Sequence, residues 1–74
     1  SIHVENSRMI VRNQSLEDCD VAIYDVLGRF VAKKPVTANS EGAVDGSLLS
    51  KGVYIVKILS ETKSINKTQR VLIK

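Results

Sequence analysis

A chain of 74 residues allows one small domain, near the lower size at which a hydrophobic core alone suffices. A single cysteine rules out an internal disulfide, and with one histidine no residues are spaced like metal ligands, so sheet packing must supply the stability, helped by a neighbouring domain or partner. No apolar run reaches the roughly 18 residues of a membrane-spanning helix, and the 11 Lys and Arg set against 8 Asp and Glu are scattered rather than clustered.

The first residues are Ser1-Ile2-His3, without an initiator methionine or signal peptide, which reads as a single domain, residues 1–74, cut from a longer protein. Ile2 and Val4 alternate with His3 and Glu5 as a short strand, and Asn6-Ser7 is a turn signal. Arg8 to Arg12 is a second strand with charged ends, followed by polar loops, Asn13-Gln14-Ser15 and Glu17-Asp18, around Leu16. Val21-Ala22-Ile23-Tyr24 is the third strand. Asp25-Val26-Leu27-Gly28 then makes a tight connection, with the Asp25 carboxylate bonding the turn backbone and Gly28 in the left-handed position of a bulged hairpin. Arg29-Phe30-Val31-Ala32 returns and is expected to stop before Pro35, which has no N–H for a ladder.

A loop over Thr37–Gly42 leads to a brief fifth strand at Ala43-Val44-Asp45, and Asp45-Gly46-Ser47 precedes the most apolar stretch, Leu49 to Leu59. Its β-branched residues and tyrosine favour a pleated, well-covered strand. Alternation puts Tyr54, Val56 and Ile58 on one face and Val53, Ile55, Lys57 and Leu59 on the other, and the charge on the second marks the first as the core face. Gly52 stands where the chain turns into the strand, a place that calls for positive φ or close backbone approach. Leu49 can fold back as a plug over the core. Glu61-Thr62-Lys63-Ser64 is a hairpin turn without glycine, and the last strand runs from Ile65 to Lys74. About seven short strands with no helical period predict an all-β fold, a small antiparallel immunoglobulin-like β-sandwich, with a small barrel as the alternative.

The residues offer no catalytic constellation. His3 reads as a surface residue. Cys19, flanked by the carboxylates of Asp18 and Asp20, is in the wrong surroundings for a nucleophile and reads as a half-buried structural cysteine. Asp18, Asp20 and Asp25 lack the spacing and glycine of a calcium loop and suit turns and strand ends. No cofactor or metal is implied, and nucleic acid is not expected as a partner, because only Lys33-Lys34 are adjacent cations and aromatic surface is scarce. Asn13-Gln14-Ser15 and Asn66-Lys67-Thr68 match the N-glycosylation pattern. Tyr24, Phe30 and Tyr54 fall at strand positions where core packing is the default over a sugar-binding face. What remains is a carrier of shape whose exposed edge strands offer a route to partners or to a homodimer.

Three features in order resemble the C-terminal sorting domain of type IX secretion system cargo proteins, such as gingipain proteases and adhesins. They are Val21-Ala22-Ile23-Tyr24-Asp25-Val26-Leu27-Gly28-Arg29 followed by Val31; Asp45 through Leu49 and Gly52-Val53-Tyr54, matching Leu-x-x-Gly-x-Tyr; and Arg70-Val71-Leu72-Ile73-Lys74. The resemblance spans Val21 to Lys74. Many members open with a Pro-Asn-Pro element where this chain has Ile2-His3-Val4-Glu5-Asn6, so nothing is carried over to the first twenty residues. The resemblance implies a non-catalytic address label, recognised by an outer-membrane translocon and its shuttle and removed by a sortase-like surface peptidase. It also implies passage through the periplasm to the cell surface or the medium. The residues it marks are Gly28, Arg29, Gly52, Tyr54, Arg70, Val71, Leu72, Ile73 and Lys74. Of these, the glycines suit backbone geometry and Tyr54, Val71 and Ile73 the core, which leaves Arg29, Arg70 and Lys74 for direct contact. Other readings are an immunoglobulin-like adhesion or carbohydrate-binding module, or a passive spacer of a secreted enzyme.

Overall fold

The computed structural model describes residues 1–5, 8–44 and 49–74. Among them lie seven strands: β1 (Ile2–Glu5), β2 (Arg8–Asn13), β3 (Cys19–Asp25), β4 (Phe30–Val36), β5 (Ser40–Val44), β6 (Gly52–Ser60) and β7 (Asn66–Ile73). They form a three-stranded sheet in the order β1-β2-β5 and a four-stranded sheet in the order β4-β3-β6-β7, every pairing antiparallel. Met9, Val11 and Val44 of the smaller sheet meet Val21, Ile23, Val36, Val56, Val71 and Ile73 of the larger in one buried cluster. No strand belongs to both sheets, so the architecture is a sandwich rather than a barrel.

The alternation read from the sequence holds in β1 and β6, and β2 and β3 show the same period of two. Ile2 and Val4 pack on the core while His3 and Glu5 face out, and Met9 and Val11 are buried between exposed Arg8 and Arg12. In β6, Tyr54 and Val56 are buried and Ile58 packs against them, whereas Lys57 and Leu59 are exposed. Leu49 is buried in the same cluster, as a plug at the end of the sandwich. Cys19 is buried outright rather than half-buried. The turn after β6 has no glycine because Lys63 itself takes a positive φ of 64°. The turn at Asn6-Ser7 and the segment 45–48 lie outside the described residues, as does the Asp45 end of the fifth strand.

Three further expectations need correction. The strand after the first hairpin does not stop before Pro35; β4 runs on to Val36. The bond from Asp25 N to Arg29 O, 2.9 Å, makes the odd-numbered residues of β3 the bonded ones toward β4. Pro35 stands opposite Asp20, an unbonded pair, with its nitrogen turned to the open edge, where no N–H is needed. The fifth strand begins at Ser40, inside the expected loop, because β2 is long enough to pair Asn13 with Ser40 and Arg12 with Glu41. Arg12 and Glu41 also join side chains across that pair, Nη2 to Oε2 at 2.6 Å.

The third correction concerns the aromatics. Tyr54 is in the core, but Tyr24 and Phe30 pack edge to face on the outer surface of the larger sheet, centroids 6.0 Å apart and rings at 76°, with Phe30 61% exposed. The cause is a β-bulge between Ile23 and Tyr24, which sets Phe30 opposite Tyr24. In an unbroken ladder, with Ala32 opposite Ile23, Phe30 would stand opposite Asp25 on the inward side.

Asn13 ties the two sheets together. Its buried side-chain nitrogen donates to the carbonyls of Glu17, Val36 and Thr37 at 2.8, 3.1 and 3.1 Å, and its oxygen accepts from Ser15 N and Oγ. The Asn13-Gln14-Ser15 tripeptide is therefore a structural joint whose nitrogen is already committed. Replacing Asn13 by alanine removes the side-chain bonds to the Glu17, Val36 and Thr37 carbonyls and is expected to cost about 2 kcal/mol. Urea-induced unfolding of the wild-type and N13A chains measures the difference.

Candidate functional site

The nine residues marked by the motifs converge at one end of the four-stranded sheet. The β6–β7 register sets Gly52 opposite Ile73, Val53 opposite Leu72, Tyr54 opposite Val71 and Ile55 opposite Arg70. The β3–β6 register sets Asp25 opposite Tyr54, which brings the Asp25–Arg29 hairpin to the same end.

That hairpin is built on Asp25. Gly28 N bonds Asp25 O at 3.0 Å and Asp25 N bonds Arg29 O, with Gly28 at φ +83°, the left-handed bulge position. Asp25 Oδ1 accepts the N–H of Leu27 and of Arg29, both at 2.9 Å, while Oδ2 accepts Arg29 Nε at 2.7 Å. These donors, the Arg29 N–H foremost, hold the Asp25 carboxyl below its ordinary pKa. Arg29 is thus partly engaged by its own turn, and the tip residues Val26 and Leu27 project into solvent.

The Leu49-x-x-Gly52-x-Tyr54 element is a clasp at the entry to β6. Leu49 is anchored in the core, Gly52 turns the chain at φ +147°, and the Tyr54 hydroxyl reaches back to donate to Ser50 O at 2.8 Å. A Cβ on Gly52 would meet no atom within 4 Å, so the requirement is conformational and not one of space. The same holds at Gly28.

β7 divides its residues by parity. Val71 and Ile73 are buried against the smaller sheet, while Arg70 and Leu72 lie on the outer face, Leu72 51% exposed. Arg70 makes no hydrogen bond or ion pair with the described residues, and Lys74 follows directly on Ile73. Around Arg70 and Leu72 the outer face is apolar: Val53 and Ile55 of β6, then the Tyr24–Phe30 pair, with Lys57 Nζ 5.3 Å from the centroid of the Tyr24 ring. A shallow cleft of about 300 Å³ between Tyr24, Ile55, Lys57 and the hairpin completes the surface. Sequence reasoning did not include this face in the site. Its β6 half was visible in the alternation, but the Tyr24–Phe30 half depends on the bulge.

The opposite end of the sandwich is tied by Glu17. Its Oε1 accepts Thr62 N and Oγ1 at 3.1 and 2.6 Å, and its Oε2 accepts Ser64 Oγ at 2.6 Å. The Ser64 and Thr62 hydroxyls lower the Glu17 pKa. Asp18 Oδ1 accepts Ala38 N at 2.9 Å, Asp20 lies 3.7 Å from Lys33 Nζ, and His3 lies 3.5 Å from Glu5 on the surface. Among the described residues no group of His, Cys, Asp or Glu is arranged to hold a metal ion.

The family described as "Secretion system C-terminal sorting domain" matches residues 2–74. This takes in β1 and β2, which the motif resemblance had left aside. No curated protein matches the chain.

Removing the Tyr54 hydroxyl opens the clasp, so Tyr54→Phe is expected to cost about 1 kcal/mol in denaturant unfolding. Acid acts through the two carboxyls. Because the folded pKa values of Glu17 and Asp25 lie below the unfolded ones, their stabilisation is complete above about pH 5 and is lost as pH falls through the folded values. Thermal melts between neutral pH and about pH 2 are expected to show a shallower acid slope for Glu17→Gln than for wild type.

Proposed function

Because the chain belongs to the family of secretion-system C-terminal sorting domains, we propose that it is the non-catalytic export address of a larger cargo protein. The family serves type IX secretion, which carries proteins across the outer membrane to the surface or the extracellular space. In this reading residues 1–74 fold in the periplasm as a unit at the cargo's C-terminus. The translocon and its shuttle bind the domain, and a sortase-like peptidase removes it at the surface. The domain itself is of the gingipain-like or adhesin-like kind.

The observation that supports this reading best is the division of labour in β7. A strand whose odd positions are locked in the core, Val71 and Ile73, holds Arg70 and Leu72 in fixed positions on the outside. Such a strand can display a short code with little ordering cost on binding. The rest of the motif set serves that display: the Gly52–Tyr54 clasp fixes β6, and β6 fixes β7.

The exposed Phe30 is the observation that favours a carbohydrate-binding module instead. Its ring stands nearly perpendicular to Tyr24 and offers no extended flat platform, which weighs toward the sorting reading. Silence of the domain on a glycan array would remove the alternative.

Truncating Arg70–Lys74 deletes Val71 and Ile73 from the core and so confounds address with folding. The cleaner test is a passenger protein fused to residues 1–74 and followed in a strain with the secretion system. The double variant Arg70→Glu, Leu72→Ser is expected to lower export at least tenfold while its melting temperature stays within about 3 °C of wild type, since both side chains are on the surface. Export at the wild-type level by that variant would overturn the assignment of the code to β7.

A further inference from the structure

We infer that the open edge of β7 accepts an extended, carboxylate-bearing segment of a partner protein as an added strand, with Arg70 facing its acidic side chains. The inference rests on the sorting reading above and specifies how the partner would engage the domain.

The backbone sets the geometry. Ser60 N bonds Ile65 O at 3.0 Å, so the bonded pairs that follow along the hairpin are Ile58–Lys67, Val56–Gln69, Tyr54–Val71 and Gly52–Ile73. The alternate residues Asn66, Thr68, Arg70 and Leu72 therefore turn their N–H and C=O groups away from β6. Among the described residues no strand pairs with that side. The register with β6 is continuous from Asn66 to Ile73, without bulge or proline.

The other edge of the same sheet is treated differently. β4 carries Pro35 with its nitrogen turned outward and the bulge at Ile23/Tyr24, both features that discourage strand addition. One edge is blunted while the other keeps a straight eight-residue template. Charge then selects the occupant. From Asn66 to Lys74 there is no Asp or Glu, but there are Lys67, Arg70 and Lys74. An antiparallel second copy would bring two such sets together with no carboxylate between them, which is destabilising. A strand with acidic side chains on the outer face and apolar ones on the inner face reverses that sign. Its carboxylates would lie beside Arg70 and its apolar residues would extend the layer of Val71 and Ile73.

The test uses amide hydrogen exchange of the chain in the presence of a soluble peptide of about eight residues alternating glutamate and valine, matched in length to β7. Exchange at Thr68, Arg70 and Leu72 is expected to slow at least about tenfold, and a lysine–valine peptide to have no effect. Thr68→Pro removes an outward N–H only, as Pro35 does on the other edge. It is expected to abolish the protection while leaving the melting temperature within about 3 °C. Protection by the lysine peptide, protection on β4 instead, or protection that grows with chain concentration alone would each overturn the inference, the last in favour of a second copy. The fused passenger separates the two levels of the argument. If the wild-type domain fails to direct export, the sorting reading falls; if the wild-type and Thr68→Pro domains direct it equally, only the edge inference falls.

Discussion

The register of β6 is the constraint on which the rest depends, and the hydrogen bond from the Tyr54 hydroxyl to the Ser50 carbonyl secures the entry to that strand. β6 is bonded on both sides, to β3 through its odd residues and to β7 through its even ones. A slip of one residue would turn Tyr54, Val56 and Ile58 outward and put Lys57 into the core. Burying that ammonium unpaired would cost several kcal/mol. The clasp of Leu49, Gly52 and Tyr54 makes the slip geometrically difficult as well. Leu49 anchors the loop before the strand, Gly52 alone tolerates the φ that turns the chain, and the tyrosine closes the ring. Once β6 is placed, the hairpin through Lys63 places β7, and the outward positions of Arg70 and Leu72 follow.

Polar joints act where the apolar core runs out. Exposed ion pairs such as Arg12–Glu41 contribute less than about 1 kcal/mol each. The buried Asn13 joint is of a different order, since three carbonyls of two separate segments share one side-chain nitrogen. Glu17 performs a related task at the surface by holding the β6–β7 turn to the loop before β3. A domain of this size, without a disulfide, needs its loops fixed because its core is small. These joints gather at the end of the sandwich away from the motif residues, which leaves the Gly28, Gly52 and Ile73 end as the one that presents side chains.

The strands, and their facing at Ile2–Glu5 and Tyr54–Leu59, were legible in the sequence where apolar and polar residues alternate. Val21 and Ile23, Met9 and Val11, and Tyr54 and Val56 all lie where their period of two puts them. The hairpin at Asp25–Gly28 was legible because its turn chemistry is local. Features that depend on a partner strand were not. Nothing within Arg29–Val36 reveals that an extra residue is accommodated opposite Ile23 and Tyr24, so Phe30 read as core and stands in solvent. Pro35 read as a stop because its tolerance depends on β4 being an edge with that nitrogen turned outward. Asn13 read as a loop residue or a glycan acceptor, since its three acceptors lie 4, 23 and 24 residues away in sequence.

The placement of the motif residues also bears on when an address can be read. In an unfolded chain Arg70 and Leu72 are neighbours of Val71 and Ile73 with no fixed side, and no strand edge exists. Both the outward pair and the row of outward N–H and C=O groups, unpaired among the described residues, appear only when β7 is zipped to β6 and Val71 and Ile73 are buried. A receptor that uses either feature binds the folded state alone, and by linkage it stabilises that state by about 2.7 kcal/mol at a hundredfold excess over its dissociation constant. For a small domain that is a large share of the total. Recognition and folding are then coupled through the same hydrogen bonds, so a sorting signal built this way passes only those cargo molecules whose C-terminal domain has reached its native register.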